Sequence, residues 1–451
     1  MSQVLTGKFL AKGLAVAVTT LMMGTVAHAE TQEQKEIKQL RQEIEALKAL
    51  VLQQQQVQQT QAVQIEQVKA TPQPSAAAPK ALSTKSDTEV KLYGFVRGDA
   101  NYIIEGSSGD FSDVANVGNG KVNQPNAQQT RDKFVATAKT TRIGLDFKTN
   151  VEGAEIGGKL ESDFAGTNDS FRVRQAYLTY KNWLIGQTQS TFLSNHAPFM
   201  IDFSTNVGGG TTRLPMIRYG FDLSPATQLF LAAEKPNSSA GHNELNAKGE
   251  TVSVEHNKSS APTLTAKLVH NFDDKKGNAS ARALVEVTKD ESVNDRKAGW
   301  GLAAGTTYQV LEPLKATIDV SYTQGVNGIL YGTNANAAFV HDADNRNIEQ
   351  NEIWAVQTGL TYSILPNLKT SVGYGALFAD YGALFADKDS DYADLINATA
   401  NKKVQQAWLN LVYSPVKPLE FGVEYVNGER KDFNNEKFKD NRIGLMSKYS
   451  F

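Results

Sequence analysis

The last ten residues of the chain, Arg442–Phe451, most constrain its fold, because apolar and polar side chains alternate along them. One face of this segment carries Ile443, Leu445, Tyr449 and Phe451, and the other carries Arg442, Lys448 and Ser450. A strand of a closed membrane barrel needs this alternation, because one face meets lipid and the other meets water. A half-buried edge strand of another protein would also alternate. The pattern therefore favours a transmembrane β-barrel. The rest of the chain must decide between this fold and the edge-strand alternative.

The N-terminus has the features of an export signal. Lys8 and Lys12 precede an apolar run from Gly13 to Val26, which ends in the small residues of Ala27-His28-Ala29. A run of this length is too short to span a bilayer, and the small-x-small ending is typical of a cleavage site. We predict a signal peptide over residues 1–29 and a mature chain outside the cytoplasm.

Composition supports an exported barrel and argues against nucleic-acid binding. The mean hydropathy of −0.38 is low, and no later segment reaches the roughly 18 consecutive apolar residues of a transmembrane helix. Barrel strands do not raise hydropathy, because half of their residues are polar. The chain has no cysteine, which weakly supports export. Without the two signal lysines, 44 basic residues face 48 acidic ones, so nucleic acid is not an expected partner.

A heptad repeat predicts a coiled coil over residues 30–69. Its a positions are Ile37, Ile44, Val51, Gln58 and Ile65, and its d positions are Leu40, Leu47, Gln54, Gln61 and Val68. Glu36 and Arg41 are placed to pair between parallel chains, which indicates a parallel homo-oligomer. The pattern leaves open a dimer or a trimer, and a solvated glutamine-rich helix or a disordered stretch is the alternative. The Pro, Ala and Ser content of residues 70–88 then predicts a linker.

From Glu89 onward the chain reads as consecutive strands with one apolar and one charged face. The first sets Val90, Leu92, Val96, Ala100, Tyr102 and Ile104 against Lys91, Arg97, Asp99 and Asn101. The second sets Ile143, Leu145 and Phe147 against Arg142, Asp146 and Lys148, and the third sets Ile156, Leu160 and Phe164 against Glu155, Lys159, Glu161 and Asp163. Charges on one face of every strand indicate a water-filled lumen.

Turn positions fix the number of strands. Short turns are expected near Asn150, Asn182 and Ser224 and at residues 273–277, 311–313, 365–367 and 414–418. Longer polar segments alternate with them, and Lys235 to Ala261 counts as one outer loop. Seven turns and eight outer loops give 16 strands. The predicted fold class is therefore all-β, a 16-stranded antiparallel transmembrane β-barrel over residues 89–451, preceded by a short N-terminal α-helical coiled coil.

Three segments resemble strand signatures of trimeric porins, namely Phe171-Arg-Val-Arg-Gln-Ala-Tyr177, Trp183-Leu-Ile-Gly-Gln-Thr188 and Arg213-Leu-Pro-Met-Ile-Arg-Tyr219. A coiled-coil prefix on a 16-stranded barrel is similar to the DcaP-like outer-membrane porins. The resemblance implies a homotrimer that lets dicarboxylic acids and related small anions diffuse. It also implies that the third outer loop, about residues 189–212, folds into the lumen as the constriction. The run Gly208-Gly-Gly210 permits tight folding there.

The candidate solute contacts are basic residues expected on the inner wall. They are Arg97, Arg142, Lys159, Arg172, Arg174, Arg213 and Arg218. Alternation puts Arg172 and Arg174 on one face about 7 Å apart, and that face should point inward because an arginine in lipid is costly. Arg213 and Arg218 have opposite parity, so a bulge or the loop edge must intervene if both line the pore. For each arginine, an ion pair with Glu155, Glu161, Asp163 or Asp202 is an equally good interpretation.

We predict an outer-membrane channel for passive uptake of small anionic solutes, in particular dicarboxylates, with the N-terminal helix in the periplasm of a Gram-negative cell. The expected partners are the solutes, outer-membrane lipid, two further copies of the chain and a contact of the helix with peptidoglycan. A non-selective porin, or a structural or adhesive barrel, is the alternative. Neither an enzyme nor a metal site is expected, because the mature histidines lack metal-site spacing. They are His196, His242, His256, His270 and His341.

Overall fold

The computed structural model describes residues 82–83, 88–118, 129–204, 206–237, 242–245, 251–254, 257–259, 261–290, 295–326, 328–332, 338–340, 348–380, 401–433 and 435–451. They belong to one unit of the chain, residues 79–451. The predicted signal peptide, the coiled coil and most of the linker lie outside the described residues.

Sixteen antiparallel strands form the body of the described chain. They are β1 (Glu89–Gly106), β2 (Thr130–Thr137 and Arg142–Val151), β3 (Ala154–Asp163), β4 (Arg172–Tyr180), β5 (Trp183–Gln189), β6 (Arg213–Ser224), β7 (Thr227–Glu234), β8 (Thr263–Asn271), β9 (Gly277–Asp290), β10 (Asp295–Leu311), β11 (Leu314–Gln324), β12 (Glu352–Leu365), β13 (Leu368–Asp380), β14 (Asn401–Val416), β15 (Leu419–Asp432) and β16 (Lys437–Ser450).

The sheet closes on itself because β1 pairs with β2 on one side and with β16 on the other. The terminal Phe451 completes the seam: its amide donates to the carbonyl of Gly94 at 3.0 Å, and the Gly94 amide donates back at 3.2 Å. Closure matters because an open strand edge in hydrocarbon would leave backbone groups without partners. The fold is thus a closed 16-stranded barrel, as the strand count predicted.

The two wall faces differ as the alternation predicted. On β1, Val96 and Tyr102 are 57% and 43% exposed on the outer face, whereas Asp99 and Asn101 are buried on the inner face. Aromatic side chains ring the outer wall near both ends. They include Trp183, Tyr219 and Phe221 at the turn end, and Trp300, Tyr322, Trp354 and Phe378 at the loop end. Apolar walls with aromatic girdles are typical of barrels that span a membrane.

All seven short turns fall where the sequence placed them, between β2 and β3, β4 and β5, β6 and β7, β8 and β9, β10 and β11, β12 and β13, and β14 and β15. The other eight connections lie at the opposite end, and most of them are longer. Residues 235–262 are one of them, and they contain the hairpin formed by His242–Leu245 and Thr251–Val254. Among the described residues, no helix is long and apolar enough to cross a membrane.

Two local features differ from the sequence-based picture. The second strand is longer than predicted, because Thr130–Thr137 extends it along the loop-end half of β1, with a break before Arg142. The predicted linker is not wholly free, because Leu82 and Ser83 pair with Val90 and Glu89 of β1. Residues 138–141, at the break, are polar or small and do not alternate, so periodicity alone could not join the two segments.

Three loops fill part of the lumen. Loop 1 (residues 107–129), loop 3 (190–212) and loop 6 (325–351) contribute buried apolar side chains that pack against the inner faces of β9 to β14. The loop members are Val114, Phe192, Leu193, Val207, Val326, Ile329 and Leu330, and the wall members include Leu284, Ile353, Leu377 and Val404. This interior core lies mainly against β9 to β14, whereas the inner wall of β2 to β4 carries a group of charged side chains.

Candidate functional site

Loop 3 lies inside the barrel, where inward side chains of distant strands bind its backbone. Its first part is held by β7: the Ser190 hydroxyl and the Thr191 amide donate to Glu234 at 2.6 and 2.7 Å. Further on, Ser194 donates to Asp319 of β11 at 2.6 Å. These carboxylates accept hydrogen bonds from buried groups that otherwise would have no partner, so they fix the path of the loop.

The middle of loop 3 crosses to the opposite wall. There Glu424 of β15 accepts the amides of Ile201 and Asp202 at 2.8 and 2.7 Å. The Asp202 carboxylate in turn accepts the amides of Ser112 in loop 1 and Ser204, at 3.0 and 2.9 Å. Burial raises the pKa of the Asp202 carboxyl above its ordinary value, because the charged form loses its hydration.

Loop 3 then returns along β12 and β13, where glycine is required. Gly208 has a φ of +82°, and a Cβ atom there would lie 2.2 Å from the carbonyl oxygen of Val356. The Gly209 carbonyl accepts the amide of Tyr331 from loop 6 at 2.7 Å. The close approach of backbone to wall thus depends on the first glycine of the predicted run.

An arginine cluster faces loop 3 from the opposite wall. Arg172 binds Asp163 in a bidentate fork at 2.9 and 2.8 Å. Arg174 donates to Glu161 at 3.0 Å and to Asp163 at 2.7 Å, and its side chain is only 6% exposed. Arg142 reaches Glu161 at 3.6 Å. Each of these three arginines thus has an acidic partner inside the lumen.

Arg213 belongs to the same cluster. It is the first residue of β6, and its guanidinium donates a hydrogen bond to the Thr211 carbonyl at 2.9 Å. It lies close enough to Arg142, Arg172 and Arg174 for electrostatic repulsion between the four guanidinium groups. Arg213 and Arg218 have opposite parity on β6. Arg213 nevertheless reaches the cluster because it lies at the edge of loop 3, where the strand begins. Four guanidinium groups meet two carboxylates at this point of the lumen.

The other three candidate residues lie outside the cluster. Arg97 forms an ion pair with Asp99 at 2.6 Å and donates to the carbonyl of Ile201, so it anchors loop 3. Lys159 lies closer to the turn end, where it contacts Asp146 at 2.7 Å and the Tyr93 hydroxyl at 3.0 Å.

Arg218 stacks on Phe230 of β7, with 5.3 Å from the guanidinium carbon to the ring centre. It faces the lumen near Glu234, and the two opposite charges attract each other. The structure thus gathers four of the seven candidates, Arg142, Arg172, Arg174 and Arg213, and separates three.

Aromatic rings stand beside the clustered arginines. Phe203 of loop 3 lies 5.7 Å from the Arg174 guanidinium, and Phe95 of β1 lies 5.1 Å from that of Arg142. Phe203 thus brings loop 3 into contact with the arginine cluster. The aromatic partners carry no periodic signal beyond strand parity, and Phe203 lies in a loop, so sequence reasoning missed them.

A void lies beside loop 3. It has a volume of about 240 Å³ and is lined by the loop, by the ion pair of Arg282 with Asp319, and by the amides of Gln189, Asn206 and Gln357. Its charges balance, unlike those of the arginine cluster. Among the described residues, no group of His, Asp and Glu could hold a metal ion.

A closed barrel with an apolar outer wall, a charged lumen and a loop folded inside it defines a channel of the porin class. The sequence comparison is consistent with this class: residues 21–451 match the family described as DcaP outer membrane protein. The chain belongs to this family and is an outer-membrane channel of the DcaP type. No curated protein sequence matches the chain.

The outer membrane channel DcaP of Acinetobacter baumannii has the same fold. It is 51% identical, with a TM-score of 0.70 over 82% of this chain and 99% of that one. The chain also matches OmpT of Vibrio cholerae at 11% identity, with a TM-score of 0.48 over 82% of this chain and 100% of that one. An anion-selective porin from Comamonas acidovorans matches at 10% identity, with a TM-score of 0.48 over 81% of this chain and 100% of that one.

Proposed function

We propose that the channel passes small anions, with a preference for dicarboxylates, at a constriction between loop 3 and the arginine cluster. The observation that carries the proposal is the excess of guanidinium groups over carboxylates in that cluster. A ring of cationic side chains at a narrow point lowers the energy of an anion in transit. Two guanidinium forks on one strand can also bind the two carboxylates of one solute.

Arg142 is the cluster member with most capacity for a solute. Its side chain stays 21% exposed, and it lies 3.6 Å from Glu161, which is too long for a hydrogen bond. Arg172 keeps 41% of its side chain exposed while it binds Asp163. A passing carboxylate would therefore meet Arg142 and Arg172 first, with Arg174 as a buried support.

The expected binding is weak. Each contact of an arginine with a carboxylate contributes roughly 1.5 to 3 kcal/mol at most, and Glu161 and Asp163 compete for the same donors. A dissociation constant on the order of 1 mM corresponds to about 4 kcal/mol, which two such contacts can supply. A site that retained its solute for longer would not conduct.

The test is a salt-gradient reversal potential in planar bilayers, with succinate as the dianion. The parent channel should be anion-selective, and Arg172→Ala combined with Arg174→Ala should lower selectivity and shorten succinate blockage. Lys417→Ala, which removes an exposed charge in a turn, is the control and should leave both unchanged. Cation selectivity in the parent, or an unchanged double variant, would contradict the proposal.

A non-selective porin is the second candidate, because each of the three wall arginines already has a carboxylate partner. If these pairs persist in water, neutral and anionic solutes of one size should pass at equal rates. Swelling rates of proteoliposomes with succinate and with an uncharged solute of similar size would separate the two candidates.

We also propose that the chain is a homotrimer whose N-terminal helices lie in the periplasm, where they can contact peptidoglycan.

A further inference from the structure

The outer wall of β14, β15 and β16 changes from apolar to basic towards the loop end. Leu409, Tyr425 and Ile443 form one cross-strand row, and they are 57%, 44% and 42% exposed. Residues two positions apart share a face and lie roughly 7 Å apart along a strand. On this face the positions nearest the loops are all lysines. They are Lys403 of β14, Lys431 of β15, and Lys437 and Lys439 of β16, here called the basic patch.

Strand register brings these lysines together. Lys403 lies directly opposite Lys431, and Lys431 lies directly opposite Lys437. Directly opposed residues have Cβ atoms about 5 Å apart, and like charges at that distance are destabilising. Glu429 relieves the repulsion in part, because it lies 3.7 Å from Lys437, whose side chain stays 60% exposed. The remaining repulsion between the lysines favours the binding of an external anion at the patch.

The patch also lies at the boundary of the membrane wall. Lys403 is opposite Phe378, and Phe378 is opposite Trp354, so the row of lysines continues a row of the loop-end aromatic girdle. The Lys403 ammonium lies 5.4 Å from the Phe378 ring centre. Aromatic rings of a girdle lie at headgroup depth, and long basic side chains there reach for lipid headgroups.

We propose that the basic patch binds the phosphate groups of an anionic outer-leaflet lipid, whose acyl chains lie on the apolar row of Leu409, Tyr425 and Ile443. The patch ends at β13, because β12 and β13 carry Glu352 and Asp380 at the same edge. It lies on the outer wall and does not depend on solute passage through the lumen.

The experiment measures retention of lipid A by the purified full-length protein in detergent, by native mass spectrometry. Three lipid arms are compared: diphosphorylated lipid A, the same lipid without its phosphates, and inorganic phosphate alone. The variant changes Lys403, Lys431 and Lys437 to Gln. The control changes Lys181, Lys275 and Lys276 to Gln, which removes the same charge from turns at the other end of the barrel.

The parent and the control should bind diphosphorylated lipid A alike, and the patch variant should bind it about 100-fold more weakly, at roughly fivefold per lysine. Dephosphorylated lipid should bind all three proteins weakly, and inorganic phosphate should not saturate the site at the concentrations used for lipid. Equal retention of the two lipids by the parent would overturn the proposal without any variant. Saturation by inorganic phosphate, or loss of subunit association in the patch variant with unchanged lipid binding, would overturn it as well.

Discussion

Arg174 is buried at an irregular point in the pairing of β3 with β4. Arg172 and Arg174 both point away from the exposed Val173 and into the lumen. The irregular pairing beside Glu161 turns Arg174 and Gln175 both towards that carboxylate. A bulge re-aims side chains in this way, and Arg174 can therefore bind Glu161 and Asp163 at once.

The burial of Arg174 leads to the first expectation, on stability. Arg174→Ala should destabilise the barrel by up to about 3 to 5 kcal/mol, since Glu161 then keeps only the long contact with Arg142, and Asp163 keeps only the half-exposed Arg172. Arg172→Ala should cost about 1 kcal/mol or less, because its side chain is 41% exposed and the pair is screened. Guanidinium unfolding of the folded barrel in detergent measures both. Asp163→Asn in the Arg174→Ala background should recover part of the loss, and equal losses for the two arginines would contradict this account.

Gly208 leads to the second expectation, on the path of loop 3. Gly208→Ala puts a Cβ atom 2.2 Å from the Val356 carbonyl at a positive φ, so the loop must move from the wall. Strain of this kind costs of order 1–3 kcal/mol. Single-channel conductance should therefore change and fluctuate more. Gly209→Ala is the matched control, because its nearest neighbour is the flexible end of the Gln357 side chain, and it should conduct nearly as the parent does.

At the scale of elements, the strands were predictable and the seating of loop 3 was not. Alternation and turn residues predicted sixteen strands and the seven turns between them, because each strand repeats a local pattern, but they missed the Thr130–Thr137 part of β2. The anchors of loop 3 are single carboxylates far along the chain, such as Glu234, Asp319 and Glu424. The sequence does show them as acids at inward positions of strands. Nothing local indicates which loop each of them binds, because the pairing is set by the closed barrel.

Glu424 leads to the third expectation. Glu424→Ala should release the middle of loop 3, because the buried amides of Ile201 and Asp202 lose their acceptor at about 1–3 kcal/mol each. The expected result is a larger and noisier single-channel conductance. Glu420→Ala is the control on the same strand, since Glu420 pairs with Lys369 and Lys448 near the turn end. If both variants conduct alike, Glu424 does not hold the loop.

At the scale of the whole molecule, closure between the first and last strands decides whether the barrel exists in a membrane. Phe451 forms two backbone hydrogen bonds with Gly94 and is 45% exposed on the outer wall. Deletion of Phe451 should lower the yield of heat-modifiable barrel in outer membranes, because the seam loses these bonds and an aromatic contact with lipid. Phe451→Tyr keeps the backbone and an aromatic ring at the seam, so it is the control and should give the parent's yield. Unchanged yield after loss of Phe451 would remove closure as the reason for the C-terminal pattern.

The last expectation is that the barrel folds and conducts without the residues that precede it. Every strand of the described wall lies within residues 89–451, and the wall closes through the pairing of β1 with β16. A chain that starts near Asp87 behind a signal peptide should therefore insert and conduct with the parent's single-channel conductance. The heptad repeat before it should add to association of copies, so the shortened chain should lose subunit contacts at lower temperature on semi-native gels. If the shortened chain gives no channel, the N-terminal residues belong to the conduit or to its assembly, and the division of the chain into a helix and a self-sufficient barrel is wrong.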